Sequence, residues 1–362
     1  MRKILAVIGT RTAAIRVAPL VRLLRRVPSM QAIICIASPH AEQIARELAV
    51  FGIEADEEVG KIACQSNEDI ACEIEGYIRK HRPDGVLVQG DAGVAMGSFR
   101  RQAAYGNLGN GLRLYELYHH TRDGVDQHAV DLVATHYFVS SEAARDNLQQ
   151  EGVGAESIYL TDSTAVDALL MVVERIRNDQ SLQAGLAAAF STLGPERRLV
   201  YVPCQHNDCS VEHFESICRT LKRLAMRTDV QVVCRAHPEQ EMRRIAEYVF
   251  ADHPRITVIE PQDYLHHVYL MQQAYLILSD ADHACDEVLT LGKPVLVMRD
   301  ADNAMRFEDG GTVKRVGADT EHILRECNMF LDDEAYYQAF SSSGKPCGDG
   351  QASQRIVETM LR

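Results

Sequence analysis

Short runs of β-branched and aliphatic residues alternate along this chain with longer segments of helical periodicity, and that beat leaves few folds open. Ile4 to Ile8 is followed by a helical pattern over Ala14 to Arg26, then by a second run from Gln31 to Ala37 and a second helix from Ala41 to Phe51. A strand that returns in the same direction after a helix makes a βαβ unit, and a series of them makes a parallel sheet covered by helices. The beat recurs at Gly85 to Gln89, at His136 to Val139 ahead of a Ser140-Ser141-Glu142 helix start, and at Ser157 to Leu160. One doubly wound domain accounts for this half.

A helix from Val166 to Arg177 leads into Asn178 to Arg198, a polar, alanine-rich stretch with Gly194-Pro195 that reads as the separator between domains. The pattern then restarts with strands at Leu199 to Val202, Val230 to Arg235, Thr257 to Ile259, Leu276 to Ser279 and Val295 to Met298, with helices between them. The expected fold class is α/β, with two Rossmann-like doubly wound domains at residues 1–175 and 198–345. A last helical pattern within 350–362 can pack back on the first domain. At 362 residues the chain is longer than one hydrophobic core usually serves, in keeping with two. Facing domains of this kind leave a cleft at the carboxyl ends of their strands, where such sheets bind ligands, so the site is expected there.

The composition narrows the function classes. With 46% hydrophobic and 25% charged residues the chain reads as globular, and no stretch approaches the roughly eighteen apolar residues of a membrane span. Met1-Arg2-Lys3 and the apolar run after it look like a signal peptide in outline. That run is short and leads straight into Gly9-Thr10-Arg11, so a first buried strand is the better reading. A formal charge of -13 argues against nucleic acid as a partner, because neutralising phosphates needs a basic face. The ten cysteines never form Cys-x-x-Cys and fall in apolar segments, which fits buried, reduced thiols and a cytoplasmic location.

Four places could carry chemistry. Gly9-Thr10-Arg11 lies where the first strand turns into a helix, so backbone N–H groups, the Arg11 guanidinium and Arg16 could meet a phosphate; a tight βα turn with solvated arginines is the plainer alternative. Gln89-Gly90-Asp91 ends another strand, so Asp91 could act as a base at the cleft rim, or simply cap the next helix. His237, in Arg235-Ala236-His237-Pro238, follows a strand of the second half and is either a ligand contact or a hydrogen-bonded structural residue. Asp280 to Glu287 reads Asp-Ala-Asp-His-Ala-Cys-Asp-Glu. Glu287 near the start of the next helix could hold a ribose diol, or serve only as a favourable charge at a helix N-terminus. The spacing of Asp282, His283, Cys285 and Asp286 matches no zinc or calcium motif, so no metal is expected.

Several motifs together resemble the non-hydrolysing UDP-N-acetylglucosamine 2-epimerases. They include Gly9-Thr10-Arg11 with Ala14-Ile15 and Ala18-Pro19, Gln89-Gly90-Asp91, Gly111-Leu112-Arg113, and Val166-Asp167-Ala168-Leu169. They continue through Glu260-Pro261-Gln262-Asp263-Tyr264, Ala274 to Asp280, Leu291 to Asp300 and Gly311-Thr312-Val313-Lys314, nearly the whole chain. The resemblance implies the glycosyltransferase-B-like architecture of two Rossmann-like domains facing a cleft, with UDP on the second. It implies an isomerase without nicotinamide or other cofactor, acting on a UDP-sugar as a homodimer in the cytoplasm. In such an enzyme the sugar loses its C2 proton and UDP, and UDP returns with the opposite C2 configuration. Carboxylates for the proton and a cationic clamp for the diphosphate are then required.

The chain departs from the family pattern at several of these positions. Thr12-Ala13 replaces Pro-Glu, and Gly109-Asn110-Gly111-Leu112-Arg113 replaces Glu-Ala-Gly-Leu-Arg. The Pro-Glu-Glu-x-Asn-Arg segment falls on Arg122 to Gln127 and keeps Asp123 at best. The His-Arg-Arg-Glu-Asn segment falls on Gln205-His206-Asn207-Asp208-Cys209, with Gln205 at the histidine position unless the register moves to His206. The Asp-Ser-Gly-Gly turn, which holds the diphosphate, becomes Asp280-Ala281-Asp282-His283, and Arg-Pro-Glu becomes Ala304-Met305-Arg306. His40-Ala41-Glu42-Gln43 stands in for an allosteric Gln-His-Arg signature.

By the resemblance Asp91, Asp123, Gln205 and His206 are the catalytic candidates, and Arg11, Arg16, Arg113, His237, Asp282, His283 and Glu287 the substrate-binding ones. Three functions compete: an epimerase impaired by these changes, a non-catalytic protein that binds a nucleotide sugar or an enzyme partner, and a related UDP-sugar hydrolase or transferase.

Overall fold

A computed structural model describes residues 1–38, 40–59, 74, 76–89, 112–116, 134–150, 152–194, 196–203, 210–251, 253–279, 285–298, 312–317, 319–342 and 348–362. The chain divides into two compact units, Met1–Met171 with Gly348–Arg362, and Val172–Cys347.

In the first unit seven strands form one sheet: β1 (Arg2–Ile8), β2 (Met30–Ala37), β3 (Glu57–Val59), β4 (Gly85–Gln89), β5 (Leu112–Glu116), β6 (Ala134–Val139) and β7 (Ile158–Leu160). Their order is β3-β2-β1-β4-β5-β6-β7, with the crossovers that the βαβ rhythm requires. β1 lies between β2 and β4, so Ile4 to Ile8 are buried on both faces and read as one continuous apolar run. β5 departs from the parallel pattern and runs antiparallel to β4 and β6, with a register irregularity between Leu114 and Tyr115. Its alternation of Leu112 and Leu114 with Arg113 and Tyr115 is the period of an antiparallel strand, which a search for continuous apolar runs passes over. Helices among the described residues here include α1 (Arg11–Leu24), α2 (Ala41–Val50), α3 (Glu142–Gln150) and the first half of α4 (Thr164–Asn178). Thr10 caps α1, its hydroxyl accepting from the Ala13 N–H at 3.1 Å, and Ala14, Val17, Ala18, Val21 and Leu24 form the buried stripe.

The second unit holds a six-stranded, wholly parallel sheet in the order β10-β9-β8-β11-β12-β13, made of β8 (Arg198–Val202), β9 (Val230–Arg235), β10 (Ile256–Ile259), β11 (Leu276–Ser279), β12 (Val295–Val297) and β13 (Val313–Arg315). Its helices are α5 (Gln180–Ala189), α6 (Val211–Leu224), α7 (Gln240–Phe250), α8 (Tyr264–Gln273), α9 (Cys285–Leu291), α10 (Thr320–Asp332) and α11 (Glu334–Ser341). Phe214, Ile217 and Leu221 of α6 and Ile323, Cys327 and Phe330 of α10 pack with Val200, Leu278 and Leu296 in one core. Burial pushes the Cys327 thiol up to about 12, which makes it an inert apolar filler. The stretch from 178 to 198, expected as a separator, carries α5 and belongs to this unit. Asp179 caps α5 by accepting from the Leu182 N–H at 2.9 Å.

The last helix, α12 (Ala352–Leu361), belongs to the first unit and buries Ala352, Ile356, Val357 and Met360. The buried Asp167 carboxylate of α4 accepts from the backbone N–H groups of Ala352 at 3.1 Å and Ser353 at 2.7 Å. Among the described residues no helix is long and apolar enough to cross a membrane.

Candidate functional site

In the first unit the candidate residues follow from strand ends. β1 stops at Ile8, Gly9 and Thr10 make the turn, and Arg11 is the first residue of α1. Its Nε donates to Glu47 Oε1 of α2 at 2.7 Å, and its Nη2 donates to the same oxygen. Arg16, buried, leaves α1 about 140° further round, as five residues at 100° each require. It lines a small pocket, with room for little more than water, together with Gln89, Phe138, Ser140, Thr161, Asp162, Ser163, Thr164 and Ile356. Gln89 closes β4, Ser140 follows β6 and Thr161 follows β7, so the pocket opens at the carboxyl edge of the sheet.

Sequence reading did not single out Thr161-Asp162-Ser163-Thr164. The signal available was a run of hydroxyl and carboxylate side chains between a strand and a helix, where Ser, Thr and Asp cap orphan N–H groups. Asp162 has a φ of 68°, a left-handed conformation that Asp tolerates better than most residues. Its carboxylate accepts from Arg355 Nη1 of α12 at 2.7 Å, and Arg355 also pairs with Asp349 at 3.0 and 2.6 Å.

In the second unit β9 ends at Arg235 and delivers His237, 1% exposed. His237 Nδ1 accepts from the Glu239 N–H at 3.1 Å, which places the proton of the neutral ring on Nε2. Its carbonyl accepts from Arg243 Nε at 2.7 Å, and Arg243 forms a two-bond pair with Glu260, both at 3.0 Å. The histidine is therefore fixed in tautomer and in position at the carboxyl edge. Glu287 sits in the first turn of α9, and the phenol of Tyr264 donates to its Oε1. Tyr264 is buried and opens α8, so a packed aromatic ring aims the carboxylate.

The start of α8 contains a titrating pair. Asp263 caps the helix through the His266 N–H at 3.0 Å, and His266 Nδ1 lies 2.6 Å from the same oxygen. Hydrogen bonding to Asp263 raises the His266 pKa above its ordinary 6.5, against the opposing effect of burial. Burial pushes the Asp263 carboxyl up, but its bonds from His266 outweigh this and leave it below its ordinary 3.8. The histidine's contribution to stability is therefore full below pH 6.5 and lost as pH rises through the raised value. The aspartate's contribution is present above 3.8 and lost on acidification. His266→Gln is expected to flatten the fall in thermal midpoint between about pH 6 and pH 9, read by calorimetry; an unchanged slope would show that the pair carries no such contribution.

Arg113 lies on β5 opposite Val88 of β4 and Tyr137 of β6 in register. Asp91, Asp123, Gln205, His206, Asp282 and His283 lie outside the described residues. Among the described residues no cluster of three or more His, Cys, Asp or Glu side chains is placed to hold a metal.

Two α/β units, each presenting candidate polar residues at the carboxyl edge of its sheet, define a protein of the glycosyltransferase-B-like class. The crystal structure of the Neisseria meningitidis UDP-GlcNAc 2-epimerase bound to UDP-GlcNAc superposes with a TM-score of 0.84 at 25% identity, covering 99% of each chain. Staphylococcus aureus MnaA in its UDP co-structure shares the fold, with a TM-score of 0.80 at 24% identity, over 99% of this chain and 96% of that one. In sequence, the UDP-N-acetylglucosamine 2-epimerase of Escherichia coli K12 is 33% identical over 368 residues, spanning 99% of this chain and 98% of that protein. The family model for UDP-N-acetylglucosamine 2-epimerase matches residues 22–361. The chain belongs to the UDP-N-acetylglucosamine 2-epimerase family.

Proposed function

We propose that this protein binds a UDP-N-acetylhexosamine and interconverts the gluco and manno epimers at C2 far more slowly than an ordinary isomerase. The observation that carries the reading is full-length membership of the epimerase family combined with the turn Asp280-Ala281-Asp282-His283, in place of the family's Asp-Ser-Gly-Gly. Arg11, at the N-terminus of α1, supplies positive charge to the departing diphosphate. Glu287, aimed by Tyr264, accepts the ribose hydroxyls. Asp91 and Asp123 move the C2 proton. The rewritten turn weakens the hold on the diphosphate, and each missing proton-transfer group costs a factor of about 10² to 10⁴.

Proton NMR of UDP-N-acetylglucosamine incubated with the purified protein checks the rate. The expected result is a slow accumulation of manno epimer over hours. Turnover of about 1 to 10³ per second, the usual enzyme range, would refute the impaired reading.

The loss of several proton-transfer residues at once also favours a second reading, a non-catalytic binder of nucleotide sugar or of an enzyme partner. Calorimetric titration with UDP together with the NMR assay separates the two: binding with no epimer at any time supports the second, and slow epimer formation the first. Absence of UDP binding at millimolar concentration removes nucleotide-sugar recognition from both readings and leaves only the binding of an enzyme partner. A homodimer is part of the proposal, and sedimentation equilibrium of the full chain tests it.

A further inference from the structure

The buried face of α2 contains a charge where its spacing calls for an apolar residue. Ile44, Glu47 and Leu48 stand at the i, i+3, i+4 positions of one stripe, and all three are buried. The Glu47 side chain is 1% exposed, whereas that of its partner Arg11 is 29% exposed. A carboxylate so deeply placed is costly unless a cation and hydrogen bonds compensate it. Arg11 compensates it side-on, with Nε at 2.7 Å and Nη2 both donating to Oε1. The bond reaches from the first residue of α1 to the last turn of α2, so it fixes the guanidinium and not merely the helix packing.

We infer that Glu47 is the positioning residue for Arg11 in diphosphate binding, a role that rests on the reading above of Arg11 as a diphosphate contact. An arginine side chain with several rotatable bonds loses entropy when a ligand orders it. With its Nε–Nη2 edge held by a buried carboxylate, the guanidinium plane keeps one orientation before any ligand arrives, and part of it remains exposed. Glu47 itself touches no substrate. Its carboxylate is the anvil against which the planar, forked cation is set, a geometry that Lys cannot reproduce.

The test measures UDP affinity by calorimetry and the thermal midpoint of the full-length protein for Arg11→Ala, Glu47→Leu, Glu47→Met and Glu47→Gln. Arg11→Ala is expected to weaken UDP by roughly 10- to 100-fold, the range of a charge-assisted contact. Glu47→Leu is expected to weaken UDP by about 10-fold while the protein stays folded, because an apolar residue suits the stripe and Arg11, 29% exposed, can turn its charge to water once its partner is gone. Glu47→Met, closer to Glu in shape, gives the same reading if the leucine variant does not fold. Glu47→Gln keeps an oxygen that accepts from Nε and is expected to remain within about threefold of wild type, a rescue that a purely structural ion pair would not give. If Arg11→Ala weakens UDP but the folded leucine or methionine variant binds as well as wild type or better, the inference falls and the reading of Arg11 stands. If Arg11→Ala leaves UDP binding unchanged, both fall together.

Discussion

Replacing Ala281, Asp282 and His283 together, as Ala281→Ser, Asp282→Gly and His283→Gly, is expected to tighten UDP binding by about 100-fold. Two effects add. A carboxylate held near a diphosphate is repulsive by about 1 to 4 kcal/mol at a separation near 4 Å, depending on how much water screens it. Side chains in place of paired glycines also keep the backbone N–H groups from closing on the phosphate oxygens, because only Gly adopts the tightest turns without steric cost. About 2.8 kcal/mol from the two together corresponds to two powers of ten in affinity. Calorimetric titration with UDP measures it, and Asp282→Asn separates the terms, since it removes the charge and keeps the bulk. The triple variant is also expected to raise epimer formation, though less than affinity, because tighter holding of bound substrate and transition state alike does little for turnover. Equal UDP affinity in the triple variant and the wild type would mean that this turn does not meet the diphosphate. The attribution of weak activity to it would then be wrong.

The fold was legible wherever one physical signal acted alone. Ile4 to Ile8 is apolar on both faces because β1 is central, and Thr10 caps α1 through the Ala13 N–H, so strand, turn and first helix follow from residues adjacent in sequence. α5 was missed because only Leu186 of its residues is buried: an alanine-rich helix lying on a surface has no apolar stripe, and Gly194-Pro195 nearby suggested a break instead. β5 was missed because its alternation carries half the apolar weight of its parallel neighbours. Site residues divide in the same way. Arg11 and Glu287 stand out from the turns and helix starts they occupy. Glu47 and Tyr264, which hold them, come from other elements 36 and 23 residues away, and nothing local to either sequence marks the contact. A charge on an amphipathic helix is ordinarily a solvent-facing one, so Glu47 looked like any other surface glutamate until the packing of α2 placed it inside.

Asp167→Ala is expected to destabilise the first unit by about 3 kcal/mol, the largest stability effect among these predictions. α12 reaches this unit after the chain has built the whole of the second one, and few local contacts can steer its entry. Its first-turn N–H groups have no partner within the helix, and two of them, from Ala352 and Ser353, are satisfied by the two oxygens of Asp167. Gly350 precedes them with a φ of 81°, and a Cβ there would lie 2.6 Å from Leu170 Cδ1, so the turn is fitted closely to α4. Alanine at 167 leaves two buried donors without their acceptor, at about 1 to 3 kcal/mol each before relaxation. Burial works against the carboxylate: desolvation pushes the Asp167 carboxyl above its ordinary 3.8, and the bonds from Ser353 and Ala352 offset this only in part. A raised value means that the stabilisation is complete below 3.8 and declines as pH rises through the raised value, so wild type and Asp167→Ala should differ more at pH 5 than at pH 8. Arg355→Ala, which removes a partly exposed guanidinium from Asp162 and Asp349, should cost less than about 1 kcal/mol. Calorimetry of the three proteins is the measurement, with a drop of roughly 6 to 12 °C expected for Asp167→Ala in a unit of this size. Hydrogen exchange then localises the effect. Loss of protection confined to α12 and the start of α4 is the expected pattern, and an unchanged midpoint with α12 still protected would show that the helix is held by its apolar face alone.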